Sequence, residues 1–182
     1  MRITTEAELR EIVDHPHPDL RDKAIPLIDD ESRRFLQAAT FFLLATTAAD
    51  GTVDVSPRGE APGGVVVLDE RRLGFGDRPG NRRLDSLRNI LQRPEVGMLF
   101  LIPGEELSLR VNGRAEVHRD PSFVDAPLGV VLEVAELFLH CGQSLKRASL
   151  WDPAGWPQPA IVPTTGDLIR STVDARRRLT AV

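Results

Sequence analysis

The sequence predicts an α+β or small β-barrel fold of about six or seven mostly antiparallel strands, with one helix inserted mid-chain and helices at both ends. Three observations carry this. From Thr40 onward, short β-type runs alternate with turn chemistry. No run of strand character is followed by a long crossover helix, which argues against a doubly wound parallel sheet. The 182 residues, 41% apolar and 27% charged with Gly 14 and Pro 14, have the composition of one compact globular domain. A chain of this length buries roughly 70% of its unfolded surface, so no staple is needed. The expected organisation is a single domain: a helical N-terminal extension over 1–39, a barrel core over 40–140, and a tail over 141–182 with a short helix, a Pro-rich connector and a terminal helix.

Residues 4–39 read as helical with two interruptions. His15-Pro16-His17-Pro18 breaks the pattern, because each Pro removes an amide donor and pushes its predecessor out of the α region. Asp29 and Asp30 open a later helix, in which Phe35, Leu36 and Ala39 recur at helical spacing. Residues 41–47 form the first strand, and Ala49-Asp50-Gly51 turns it into a second over 52–56. A Pro- and Gly-rich loop is expected over 57–64, then a hairpin of 65–68 with 73–75. Residues 82–92 are predicted as an amphipathic helix with Leu84, Leu87, Ile90 and Leu91 inward, stopped before Pro94. Residues 96–102 read as a buried strand. Over 106–117, Leu107, Leu109 and Val111 share one face and Ser108, Arg110 and Asn112 the other. A last strand over 129–140 precedes a short helix near 143–150 and a terminal helix over 167–179.

The net charge is -4, from Lys+Arg 23 against Asp+Glu 27, which argues against affinity built on neutralising many phosphates of a nucleic acid. Arg176-Arg177-Arg178 is too short for a polybasic tract and reads as the solvated face of the last helix. A small ligand is the better expectation. No apolar run approaches the roughly 20 residues that cross a bilayer, and the first residues lack a basic stretch followed by an apolar one. With the single Cys141, which excludes an intrachain disulfide, this points to the cytosol. His15 and His17 have no Cys or acidic partner at ligand spacing, so no metal is expected. Neither a Ser nucleophile elbow nor a phosphate loop is present, so any electron chemistry falls to a cofactor.

The richest stretch is Gly76-Asp77-Arg78-Pro79-Gly80-Asn81-Arg82-Arg83-Leu84, which leaves a strand and opens a helix. Glycine lets backbone approach a ligand, and a helix entrance presents amides without intrahelical partners. Arg82 and Arg83, read as first-turn residues, oppose the helix dipole by roughly 0.3 to 1 kcal/mol each. A bound phosphate offsets that by taking amides and guanidinium forks together. The plain alternative is pairing of these side chains with Asp77, Asp85 or Asp54. Arg78 and Asn81 add donors, and Asn81 is also a candidate helix cap.

Three further clusters stand out. In Asp54-Val55-Ser56-Pro57-Arg58-Gly59-Glu60, main chain flanks a flat ligand while Arg58 meets a negative group; the alternative is a surface Arg58–Glu60 pair. Ser108, Arg110 and Asn112 either face solvent or line a site. His140 and Cys141 are adjacent, so on a strand they point to opposite faces and make a poor base and nucleophile. Lys146 and Arg147 reach an anion or face water, and Trp151 stacks on an aromatic ligand or lies at a subunit interface.

The blocks Ser56-Pro57-Arg58-Gly59-Glu60-Ala61-Pro62-Gly63, Asp77-Arg78-Pro79-Gly80-Asn81 through Leu91, Phe100-Leu101-Ile102-Pro103-Gly104 and Leu109-Arg110-Val111-Asn112-Gly113-Arg114-Ala115 occur in this order. Together they resemble the pyridoxamine 5'-phosphate oxidase-related FMN-binding family, a bacterial subgroup in particular, over about 25–153. The resemblance implies an FMN-binding split β-barrel that works as a homodimer, with noncovalent flavin at the subunit interface. By similarity, Gly80-Asn81-Arg82-Arg83 falls where the family places FMN phosphate ligands, Arg83 foremost. It also puts Ser56 and Arg58 near the flavin, Ser108 or Arg110 on the strand lining the dimer cleft, and Trp151 against the flavin of either subunit with Lys146 nearby. The C-terminal Arg-x-His-Asp-Arg type segment that the name-giving oxidase uses for its pyridoxine substrate is not found in this sequence, so vitamin B6 oxidation is not carried over. The function expected is FMN-dependent oxidoreduction of a small molecule; the alternatives are the deazaflavin F420 in place of FMN, or flavin or haem carriage without turnover.

Overall fold

Apolar alternation at period two builds the core. In β1 (Phe41–Thr47), Phe42, Leu44 and Thr46 point inward and are buried, while the residues between them stay half-buried on the outer face. The computed structural model describes residues 1–21 and 23–180; residues 22, 181 and 182 of the expected extension and tail lie outside them. The elements that follow β1 are β2 (Val53–Gly59), β3 (Val65–Val67), β4 (Arg72–Gly76), α4 (Asp85–Gln92), β5 (Glu95–Leu101), β6 (Ser108–Arg119) and β7 (Leu128–His140). Ahead of them come α1 (Glu6–Arg10), α2 (Pro18–Arg21) and α3 (Asp30–Ala38). All strand pairs are antiparallel, in the order β2-β1-β5-β6-β7-β4-β3. The sheet curls over a core in which Phe42 meets Phe75 edge-on at 5.0 Å between centroids and Phe100 at 5.1 Å.

Two sequence expectations need correction. Residues 57–59 belong to β2, not to a loop; β2 is an edge strand that pairs with β1 alone among the described residues, so Pro57 can sit in it despite lacking an N–H. The mid-chain helix starts at Asp85, three residues later than predicted, because Arg82 (φ 61) and Leu84 (φ 59) take left-handed backbone and cannot continue a helix. Its buried face is Ser86, Leu87, Asn89 and Ile90, whereas Leu84 and Leu91 are exposed.

Gly113 marks a register shift where β6 meets β7. A Cβ there would run into the Glu133 carbonyl, so the close approach of the two backbones at this bulge requires glycine. At α3 the expected acidic start holds: Asp29 caps the helix by accepting the Ser32 amide at 2.7 Å. That hydrogen bond lowers the Asp29 pKa below its usual 3.8. A carboxyl with a depressed folded pKa contributes stability above its unfolded pKa and loses it as pH falls through the folded value. Asp29→Ala is therefore expected to cost about 1 kcal/mol at neutral pH. The deficit against wild type should shrink below pH 3.8 in chemical denaturation.

The chain divides into two compact units, Met1–Gly142 and Gln143–Val182. The first holds α1 to α4 and the whole sheet. The second holds α5 (Gln143–Arg147), two short 3-10 turns and α6 (Thr165–Thr180). Within it, Thr164 and Asp167 exchange hydrogen bonds across the start of α6, a reciprocal cap. Among the described residues, no helix is long and apolar enough to cross a membrane.

Candidate functional site

A cleft of about 930 Å³ opens between β2, the segment after β4 and the first turn of α4. Such a volume lies in the range of small-molecule and cofactor sites. It gathers six of the residues singled out in the sequence, Ser56, Arg58, Arg78, Asn81, Arg82 and Arg83. Strand alternation explains the β2 contribution: Asp54, Ser56 and Arg58 are half-buried on one side, while Val53, Val55, Pro57 and Gly59 are exposed on the other.

The lining carries four arginines and four carboxylates, Asp54, Glu60, Asp77 and Asp85. Most of them are paired. Arg58 Nη1 donates to Asp77 at 2.7 Å in a largely buried bridge, so the expected Arg58–Glu60 pair is not what forms. Glu60 instead takes a bidentate contact from Arg78, with Nε at 2.5 Å and Nη2 at 3.1 Å, and Arg78 Nη1 also donates to the Asp125 carbonyl at 3.0 Å. Arg83 Nε donates to Asp85 at 2.6 Å. The Glu60 and Asp85 contacts raise the pKa of Arg78 and Arg83 respectively, so both stay cationic. Arg82 is different. Among the described residues no hydrogen bond or ion pair involves its side chain, and its charge is available to a ligand.

Helix α4 begins without a side-chain cap, since Leu84 occupies that position. Its entrance amides line the cleft with no side chain answering them. Asn81 does not cap the helix; its Oδ1 accepts the Arg83 amide at 3.0 Å and tightens the preceding turn. Arg82 and Arg83 do not oppose the helix dipole from its first turn, as expected from the sequence, because both precede the helix. Asp85 is the first-turn residue, and its sign suits that position.

Sequence reading missed a polar chain beneath the cleft. Asn89 Nδ2 donates to Thr46 Oγ1 at 3.0 Å, and Ser86 Oγ donates to Asp54 Oδ2 at 2.9 Å, with the Thr46 hydroxyl 3.5 Å from the same oxygen. These bonds tie α4 to β1 and β2. The signal was present in Ser86 and Asn89, polar residues three apart on the flank of the Leu87 and Ile90 stripe.

The other predicted site residues on the sheet do not line this cleft. Ser108 is buried on β6, outside the cleft lining. Arg110, also outside it, bridges Glu136 at 2.5 Å and stacks 3.8 Å over the Phe138 ring on the outer sheet face. Cys141 lies past the end of β7 and is exposed. Lys146 on α5 and Trp151 just after it belong to the second unit.

A seven-stranded antiparallel sheet curled into a half-barrel, with a few helices, defines the split-barrel class. The chain belongs to the pyridoxamine 5'-phosphate oxidase family, whose model matches residues 28–128, more than half its length. No curated protein sequence matches it. Among solved structures it is similar to a variant of HupZ from Group A Streptococcus, at 14% identity and TM-score 0.50, covering 62% of this chain and 99% of that one. It is also similar to a provisionally assigned pyridoxamine 5'-phosphate oxidase from Lactobacillus delbrueckii, at 24% identity and TM-score 0.49, with 63% and 95% covered. An F420 reductase matches at 23% identity and TM-score 0.41, with 59% and 94% covered. The first of these likenesses bears on the fold alone.

Proposed function

We propose that this chain is a cytosolic flavoprotein that holds FMN by its phosphate in the cleft between β2 and α4 and serves as an oxidoreductase for a small molecule. One observation carries the reading: Arg82, the unpaired cation of the cleft, stands beside a helix entrance whose amides no side chain caps. The donor set suits a phosphate. Arg58 Nε is buried without a partner, and the hydroxyl of Ser56 lines the same cleft. Arg58, Arg78 and Arg83 keep their carboxylates and shape the walls. When bound, the isoalloxazine ring supplies hydride and single-electron transfer, the chemistry the chain's own residues lack.

The reading includes a homodimer. Support comes from the outer sheet face, where Val55 and Pro57 of β2, Leu43 and Phe41 of β1, and Leu99 and Leu101 of β5 lie in adjacent registers. Contiguous apolar residues on the outside of a sheet mark an association surface more often than a solvated one.

The test is the protein as purified. FMN carriage predicts the visible spectrum of oxidised flavin, a released species of FMN mass on denaturation, bleaching by NADH or NADPH, and sedimentation as a dimer. Release of F420 or of haem identifies the alternative cofactors and overturns the FMN assignment, and a spectrum that neither reductant changes overturns the catalytic part.

A further inference from the structure

We propose that the loop between β6 and β7 is a built-in latch that positions one wall of the cleft, with Phe123 as its positioning residue. The inference rests on the FMN reading only for its ligand readout.

The loop, residues 120–127, is closed at its base by the Asp120 amide bonded to the Pro127 carbonyl at 3.0 Å. It folds back over the outer face of β4 and β7. Three glycines lie on that face under the loop, beside Val131, which pairs with Gly74. Gly76 pairs with Gly129 across the two strands, and Gly74 lies two residues along β4. A Cβ on Gly74 would come within 2.6 Å of the Phe123 ring, one on Gly129 within 2.7 Å of Pro121, and one on Gly76 within 3.1 Å of Val124 and Ala126. Three positions on two strands thus leave out side chains where the loop sits, and Gly74 and Gly76 are buried although they point away from the core.

The seated loop reaches the cleft through its backbone. The Asp125 carbonyl accepts from Arg78 Nη1, and the same guanidinium grips Glu60 with its Nε and Nη2. At the base of the loop the Asp77 amide donates to the carbonyl of Leu128, the first residue of β7, at 2.8 Å, which carries the β4–β7 pairing one residue past Gly76. Arg78, a long side chain 48% exposed, is therefore held from two sides, and Glu60 with it. Fixing such a side chain before a ligand arrives removes an ordering cost from binding.

The experiment compares wild type with Phe123→Ala, Phe123→Leu and Gly74→Ala, the last wedging the ring out without removing a side chain. Amide hydrogen exchange needs no ligand. Phe123→Ala and Gly74→Ala should speed exchange over 59–64 and 76–80 but leave the β1–β2 turn at 48–52 unchanged, while Phe123→Leu restores most of the protection. For added FMN, Phe123→Ala should raise the dissociation constant about fivefold, and this increment should vanish in an Arg78→Ala background. Exchange that rises uniformly over the unit, or not at all over 59–64 and 76–80, overturns the latch. So does an affinity loss that persists undiminished without Arg78. If wild type fails to bind FMN, the flavin reading fails while the exchange pattern still decides the latch.

Discussion

Replacing Phe42 with Ala is expected to lower the stability of the Met1–Gly142 unit by about 3–5 kcal/mol, the usual cost of truncating a buried aromatic. The ring is 2% exposed and meets both Phe100 of β5, the strand next to β1, and Phe75 of β4, four places along the sheet order. Removing it leaves a void that three strands would have to close, and a curled sheet collapses poorly onto such a gap. Phe42 also borders the cleft, so the same substitution should weaken ligand binding. Urea denaturation provides the check, with Leu91→Ala as control: Leu91 is 74% exposed, and its truncation should stay within about 0.5 kcal/mol.

The second large effect concerns Arg82. Its loss should raise the FMN dissociation constant about tenfold or more, as expected for a charge-assisted hydrogen bond to an anion. Arg83→Ala should do less, although the family resemblance points first to Arg83, because that guanidinium is already engaged by Asp85. Arg176→Ala, on α6, should leave retention unchanged. Flavin fluorescence titration of the three variants orders them. Arg83 above Arg82 in that order would show that the phosphate displaces Asp85 rather than taking the free cation.

How much of this was legible in the sequence follows from how local each signal is. The core strands announce themselves as short β-type runs between turns, and β1, β5, β6 and β7 lie close to those runs, although period-two alternation is read from the sequence only for β6, and β5, expected as a continuous buried run, also alternates in the structure. Pro57 hid the end of β2, because tolerance of proline depends on that strand being at the sheet edge, a property of the whole topology. The start of α4 was misread because left-handed backbone at Arg82 and Leu84 is imposed by tertiary context and carries no glycine to signal it.

The cleft shows the same division. The basic, glycine-containing turn at 76–84 is visible as a ligand site, and Arg83–Asp85, two residues apart, is among the pairings the sequence offers; the partners of Arg58 and Arg78 are not, since Arg58–Asp77 and Arg78–Glu60 join residues about twenty apart. The glycines under the β6–β7 loop were silent for a related reason: Gly74, Gly76 and Gly129 become one track only when β4 pairs with β7.

Capture of an anionic group at the entrance of α4 is decided by titrating ligand-free protein with FMN and with riboflavin, which differ only in the phosphate. FMN is expected to bind at least about a hundredfold more tightly, since the phosphate takes both the Arg82 charge and the uncapped amides. Equal affinity for the two would place the flavin's recognition elsewhere and contradict that capture.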